Sequence, residues 1–186
     1  MDPKNYDRLI EIYEALADYG YREVGQEYLQ NVLNTDKKLD AYDSGRIYYY
    51  LGDYQKAYLA LEEAKGKGGV DSYLYLGKAY AATGDYNYAS SVYSNYLSKQ
   101  GPDAEIYNQL GLCELAKKDY QKALEAFQAG KQIEGNSLMQ TLSFNEIVAY
   151  EYLQDYQKAA VLLKAYLQNY PDDQAAIREQ QFLSTR

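Results

Sequence analysis

The chain has 186 residues, enough for one domain with a continuous core or a short array of stacked units. Its net charge of −8 and pI near 4.6 argue against nucleic acid, whose phosphates need a surface that neutralises them. A mean hydropathy of −0.62, with no run near the ~20 apolar residues of a spanning helix, argues against a membrane-embedded chain.

In chain order, the start "MDPKNYDRL" lacks the basic and apolar regions of a secretory leader. That leaves a cytoplasmic location open, and an extracytoplasmic one after removal of a leader. Residues 5–37 form a degenerate first unit. From there a five-residue phrase recurs: "DYQKA" at Asp53–Ala57, "DYNYA" at Asp85–Ala89, then "DYQKA" at Asp119–Ala123 and Asp155–Ala159. The spacings are 32, 34 and 36 residues, a period that signals a solenoid or a propeller. Strand alternation is absent, whereas Ala57, Leu61 and Ala64 mark one face of a helix. Each unit is therefore predicted to be a helical hairpin, over 38–69, 70–103, 104–139 and 140–173, with a capping helix over 174–186.

The breaks between units are "KGKGGVD" at Lys65, "KQGPD" at Lys99, "EGNS" at Glu134 and "NYPDD" at Asn169. Each holds an Asp or Ser predicted to cap the next helix, and the Asp of each Asp-Tyr pair is predicted to cap the second helix of its hairpin. Gly45, Gly77 and Gly111 fall mid-helix, twelve residues before Ala57, Ala89 and Ala123. A mid-helix glycine costs ~1 kcal/mol against alanine. Three at one register imply a close crossing, with the alanine opposite completing the contact.

"YLYLGKAYAATGDYNYASSVYSNYL" from Tyr73 and "YNQLGLCELAKKDYQKALEAFQAG" from Tyr107 resemble tetratricopeptide repeats. In the unit from Tyr73 the matching positions are Tyr73, Leu76-Gly77, Tyr80, Gly84, Ala89, Tyr93 and Tyr96, with Pro102 closing. The resemblance covers about residues 38 to 173. It implies an all-α, right-handed superhelical α-solenoid of about five hairpins plus a C-terminal cap. Ile147 stands where the pattern has glycine, which predicts a slightly wider crossing. In the first unit Tyr21, Val24 and Tyr28 fit one register, and Tyr13 and Tyr19 another shifted by two. The former is preferred because it gives a 33-residue step. Beyond Pro171, Ala176 and Ile177 are expected to face inward, and a polar-faced end unit suits a solenoid.

Chemistry finds little support. With no histidine, Ser-His-Asp and Cys-His catalysis are removed along with the commonest transition-metal ligand. Cys113 is the single cysteine, which excludes cysteine-type zinc sites and an internal disulfide, and it reads as a buried structural thiol. "KGKGG" fails the spacing of a phosphate loop and reads as a turn. The longest basic runs are Lys37-Lys38 and Lys117-Lys118, too short for a phosphate-binding patch. Glu62-Glu63 and Asp172-Asp173 are adjacent in sequence, with nothing to converge them on a substrate. No enzyme activity, catalytic residue, metal or cofactor is predicted.

Tyrosine is the unusual feature, with 25 in the chain and no tryptophan. By the repeat register 14 fill framework positions: Tyr28, Tyr48, Tyr73, Tyr80, Tyr93, Tyr96, Tyr107, Tyr150 and Tyr166, plus Tyr21, Tyr54, Tyr86, Tyr120 and Tyr156 at the inter-helix turns. In the family it resembles, the first helix of each unit lines a concave groove that binds extended peptides. Chance would put roughly two or three of the remaining eleven tyrosines on groove positions. Seven fall there: Tyr6, Tyr13, Tyr42, Tyr49, Tyr50, Tyr75 and Tyr152. If the first unit takes its other register, Tyr6 and Tyr13 become framework. Either these rings form an aromatic binding surface or they pack between neighbouring first helices.

Arg46 and Lys78 hold equivalent places in adjacent units and are expected side by side, where they could bracket an anion, unless Asp43 neutralises Arg46 along the helix. Asn108, Gln109 and Asn145 are candidates for bonding a peptide backbone. The Lys/Asn/Arg constellation of family members that clamp a C-terminal carboxylate is not found. The expectation is a non-catalytic scaffold that binds a protein or peptide segment, as a monomer or weak homo-oligomer. The alternatives are a self-associating assembly module, or the repeat part of a larger, lipid-anchored exported protein.

Overall fold

A computed structural model describes residues 5–36, 38–65, 67 and 69–186. Lys37 of the basic pair, Gly66 and Gly68 of "KGKGG", and the first four residues of the start lie outside the described residues. Among the described residues there are eleven α-helices and no strand. They are α1 Tyr6–Asp18, α2 Arg22–Thr35, α3 Ala41–Tyr50, α4 Tyr54–Ala64, α5 Gly69–Ala82, α6 Tyr86–Gln100, α7 Ala104–Ala116, α8 Tyr120–Lys131, α9 Met139–Tyr152, α10 Tyr156–Asn169 and α11 Gln174–Leu183. They divide into two compact units, residues 1–85 and 86–186.

The repeated phrase is a turn with a fixed hydrogen-bond pattern. Asp53 N–H donates to Tyr48 O and Gly52 N–H to Tyr49 O, the paired bonds that close a helix C-terminus on a left-handed residue. The same pair recurs at Asp85, Asp119 and Asp155, and at Tyr21 in the first unit. The left-handed residue is Gly20, Gly52 and Gly84 in three turns, but Lys118 (φ 64°) and Gln154 (φ 63°) in the others. An L side chain pays ~1–2 kcal/mol there, of which glycine's extra unfolded-state freedom takes back part. Lys118→Gly should accordingly raise stability by about 0.5–1 kcal/mol, measured by urea unfolding.

The rest of the phrase follows from the next helix. Asp53, Asp119 and Asp155 accept from the backbone N–H of Lys56, Lys122 and Lys158, so each caps a second helix as expected. Asp53 and Asp119 also hold the ammonium of the same lysine at 2.7 Å. That pairing holds both carboxyls below the usual carboxylate range, the lysine hydrogen bond being the largest cause. The alanine that ends the phrase is fully buried in each copy.

Between hairpins the capping expectation holds for Asp103 and Asp173 and needs correction at two breaks, while Asp40 caps α3 without having been singled out. Asp71 lies inside the first turn of α5. Ser137 precedes Leu138, which starts α9 without a side-chain cap, while Asn136 Oδ1 accepts from Leu138 N–H at 3.1 Å.

The glycine crossings hold at Gly45 and Gly111, but the large neighbour is not the alanine. A Cβ on Gly45 would lie 2.6 Å from Leu61 Cγ and 3.3 Å from Ala57 O. A Cβ on Gly111 would lie 2.3 Å from Phe127 Cε1. The ring or branched side chain one turn past the alanine fills the space that glycine leaves. Ile147, at the same place in a later hairpin, is buried and packs in one cluster with Ala159, Leu163 and Ala176.

The first unit corrects the preferred register. Its turn places Tyr21 where Asp53 stands 32 residues later, not 33. Tyr21 and Tyr28 are 61% and 41% exposed, and Val24 is exposed too, so none of the three is core. Leu29, one residue on, is fully buried, with Leu9, Tyr13 and Ile47. Tyr13, expected on the groove, is 4% exposed and meets Gly25, whose Cβ would lie 2.8 Å from its ring. Relative to Gly45 and Ala57, which stand 32 residues later, the larger residue has moved to the first helix and the glycine to the second.

In the second unit, Ala123, Leu124, Phe127, Leu142 and Ala149 form one core cluster. Ala176 and Leu183 seat α11 on α10, while Ile177 is only half-buried. Cys113 is buried, and desolvation pushes its thiol up to about 12, which suits a structural role.

Candidate functional site

Within the compact unit of residues 1–85 the predicted site residues of α3 and α5 converge. Tyr49 makes ring contacts with Tyr50, Tyr54 and Tyr75 at centroid distances of 5.4, 5.8 and 5.6 Å, and Tyr50 meets Tyr75 at 5.9 Å and Tyr13 at 5.2 Å. Tilted and edge-on geometries dominate, the arrangement that the ring quadrupoles favour. Tyr42, Tyr49, Tyr50 and Tyr75 are each half-buried, so they both pack between first helices and leave part of each ring outside.

Their hydroxyls are organised. Tyr50 donates to Glu14 Oε1 at 2.5 Å and lies 2.9 Å from the Tyr75 hydroxyl; with its one proton spent on Glu14, it accepts from Tyr75. The Tyr42 hydroxyl lies 3.5 Å from Asp71. Burial raises the pKa of Tyr42, Tyr49 and Tyr50, so all three stay protonated. Tyr6 donates its hydroxyl to Asp36.

Arg46 is 6% exposed beneath these rings. Its Nη1 donates to Asp7 at 2.6 Å and lies 3.5 Å from Asp43, and its guanidinium sits 5.0 Å from the Tyr42 ring centre and 5.3 Å from that of Tyr75. The Lys78 ammonium lies 5.9 Å from the same Tyr75 ring, so the structure does bring the two cations to one place. Arg46, however, already has carboxylates. Asp43 neutralises it along the helix, and Asp7 adds a partner from α1. Burial, then Asp40, pushes the Asp43 carboxyl up to about 6.

In the second unit Asn145 Nδ2 donates to Asn108 Oδ1 at 2.9 Å, joining α9 to α7, and Gln109 donates to Glu105 at 2.9 Å. Asn108 is buried. Tyr152 is 54% exposed and stacks on Tyr120 at 4.9 Å. The amide candidates are thus brought together, but bonded to this chain's own groups.

The sequence reading missed Asp7 and Glu14, which hold the Arg46 and Tyr50 ends of the aromatic face. Their seven-residue spacing on α1 was the available signal, since it puts both on one helix side. It also missed Glu146, buried on α9 and bonded to Lys131 at 2.5 Å and Gln128 at 2.8 Å. Among the described residues no group of His, Cys, Asp and Glu could hold a metal, and no helix is long and apolar enough to cross a membrane.

Two tetratricopeptide repeat family models match the chain, over residues 74–137 and 144–173. No curated protein matches by sequence. Among solved structures, the chain is similar to TTC0263, a thermophilic TPR protein of Thermus thermophilus, at 15% identity and TM-score 0.73, covering 97% of this chain and 100% of that one. It is similar to YrrB, a TPR protein with an unusual peptide-binding site, at 20% identity and TM-score 0.65, covering 93% and 90%. The second TPR domain of human RPAP3, in complex with an HSP70 peptide, aligns at 16% identity and TM-score 0.53, covering 59% and 90%. The recurring turn, the glycine crossings and both family matches agree, and the chain belongs to the tetratricopeptide repeat family.

Proposed function

We propose that this chain is a non-catalytic scaffold that binds an extended segment of a partner protein along the first helices of its hairpins. The observation that carries the reading is the half-buried face of Tyr42, Tyr49, Tyr50 and Tyr75 on α3 and α5, held by Arg46, Asp7 and Glu14. Rings held in place before binding lose little entropy on contact, and tyrosine adds a hydroxyl to a flat apolar area. YrrB and the RPAP3 domain, which share the fold, are both described with peptide sites.

In this reading Arg46 is the post that orients Tyr42 and Tyr75, and Lys78 beside Tyr75 supplies the preference for an acidic residue. In the second unit, taken by itself, Asn108, Gln109, Asn145 and Tyr152 are the candidate peptide contacts. The test is selection of binders from a displayed random-peptide library, then titration of the selected peptides. Tyr49→Ala should weaken them at least tenfold with the helical circular dichroism retained, and amide shifts should fall on α3 and α5. Unchanged affinity, or shifts confined to α2 and α4, would refute the site.

A further inference from the structure

At the other end of the chain, an open cleft of about 540 Å³ is lined by Val148, Glu151 and Tyr152 of α9, Tyr156 of α10, and Glu179 and Phe182 of α11. Its lining combines three aromatic rings with two carboxyls. Glu151 Oε1 is buried there with no N–H or hydroxyl donor among the described residues, its hydrogen-bonding neighbour being the Glu179 carboxyl. An orphaned buried acceptor costs free energy that a donor from outside would recover. The chain already sets one cation on this rim, because the Arg186 guanidinium lies 4.6 Å from the Phe182 ring centre and 5.7 Å from that of Tyr156.

We propose that this cleft is a second binding site, which takes an arginine side chain of a partner polypeptide among its aromatic rings and onto Glu151 and Glu179. A planar guanidinium matches both surfaces: its face stacks on rings, and its N–H fork meets a carboxylate with two parallel bonds. The net charge of −8 draws such a group in. Half-exposed Tyr152 and Phe182 leave the entrance open to a side chain on an extended backbone. The site lies on other helices than the α3 and α5 face, sharing only Tyr152 with the peptide-binding candidates above, and acts on the opposite sign of charge from Lys78.

The pair also sets a pH dependence. Burial first, and the Glu179 carboxylate second, raise Glu151 to about 7. The other titratable or charged groups lining it are Tyr152 on its own helix, Tyr156 from α10, and Arg186 just past α11. An arriving guanidinium favours the ionised form, so binding below about pH 7 must expel a proton, and affinity rises with pH.

The experiment is an NMR titration of the whole chain with acetyl-Gly-Gly-Arg-Gly-Gly-amide, against the same peptide carrying neutral, isosteric citrulline. The arginine peptide should shift amides of α9 and α11, bind at least tenfold more tightly than the citrulline peptide, and weaken severalfold between pH 8 and pH 6. Glu151→Gln and Glu179→Gln remove charge without removing volume, and each should cost tenfold or more while thermal unfolding stays cooperative. Equal binding of the two peptides, wild-type affinity in both glutamine variants, or no shift on α9 and α11 at millimolar peptide would overturn the site. The Tyr49→Ala variant should bind this peptide as the wild type does.

Discussion

Gly111→Ala should lower the stability of the chain by about 2–3 kcal/mol, the cost of forcing a methyl into a packed core. The added Cβ would lie 2.3 Å from Phe127 Cε1 and 2.7 Å from two further ring atoms, and that ring is fully buried. A rigid ring cannot move a single atom aside; the whole plane must shift against its neighbours in the α8 and α9 core. Gly45→Ala should cost less, because its closest approach is 2.6 Å, to Leu61 Cγ, and a leucine can change rotamer where a rigid ring cannot. The test is a double-mutant cycle by urea unfolding. Phe127→Leu trims the clashing edge, so Gly111→Ala/Phe127→Leu should be more stable than the sum of its singles by over about 1 kcal/mol. Additive losses would show that the glycine is there for another reason.

The same contact shows how far residue patterns carry a reading of this chain. Gly45 and Gly111 disclosed close crossings because no other residue fits there, and Asp53, Asp119 and Asp155 disclosed helix starts because an aspartate at that offset has a specific hydrogen bond to make. Those are local demands, and sequence records them. Which large residue faces each glycine was less legible, since Leu61 and Phe127 sit sixteen residues away and share only bulk. The α3 and α5 tyrosines were placed on the correct helices, but their rings are shared between packing and exposure, a division that no spacing encodes. Arg46 was legible as a first-helix cation and not as a buried one. Its burial rests on Asp7, 39 residues earlier, in the unit with the weakest repeat. The Glu151 and Glu179 cleft joins α9 to α11, and Glu179 belongs to the cap, so no comparison among the hairpins could reveal the pair.

Tyr13→Ala should be the most damaging single change in the first unit, at about 3–4 kcal/mol, because it empties a buried aromatic site. Tyr13 is 4% exposed, packs with Leu9, Leu29 and Ile47, and donates its hydroxyl to Tyr50 O at 3.2 Å. Its loss removes the ring behind Tyr50 and so loosens the aromatic face as well as the core. The register predicted from sequence assigns that weight to Tyr21 and Tyr28; both are exposed, so Tyr21→Ala and Tyr28→Ala should each change stability by no more than about 0.5 kcal/mol. Gly25 decides whether the size exchange between α1 and α2 is real. Gly25→Ala alone should cost about 1–2 kcal/mol, because its Cβ would lie 2.8 Å from the Tyr13 ring. Placed on Tyr13→Ala the same methyl enters vacated space, so the double variant should be no less stable than Tyr13→Ala by itself. Strictly additive losses in that pair, or a Tyr28→Ala penalty as large as that of Tyr13→Ala, would return the first hairpin to the 33-residue step.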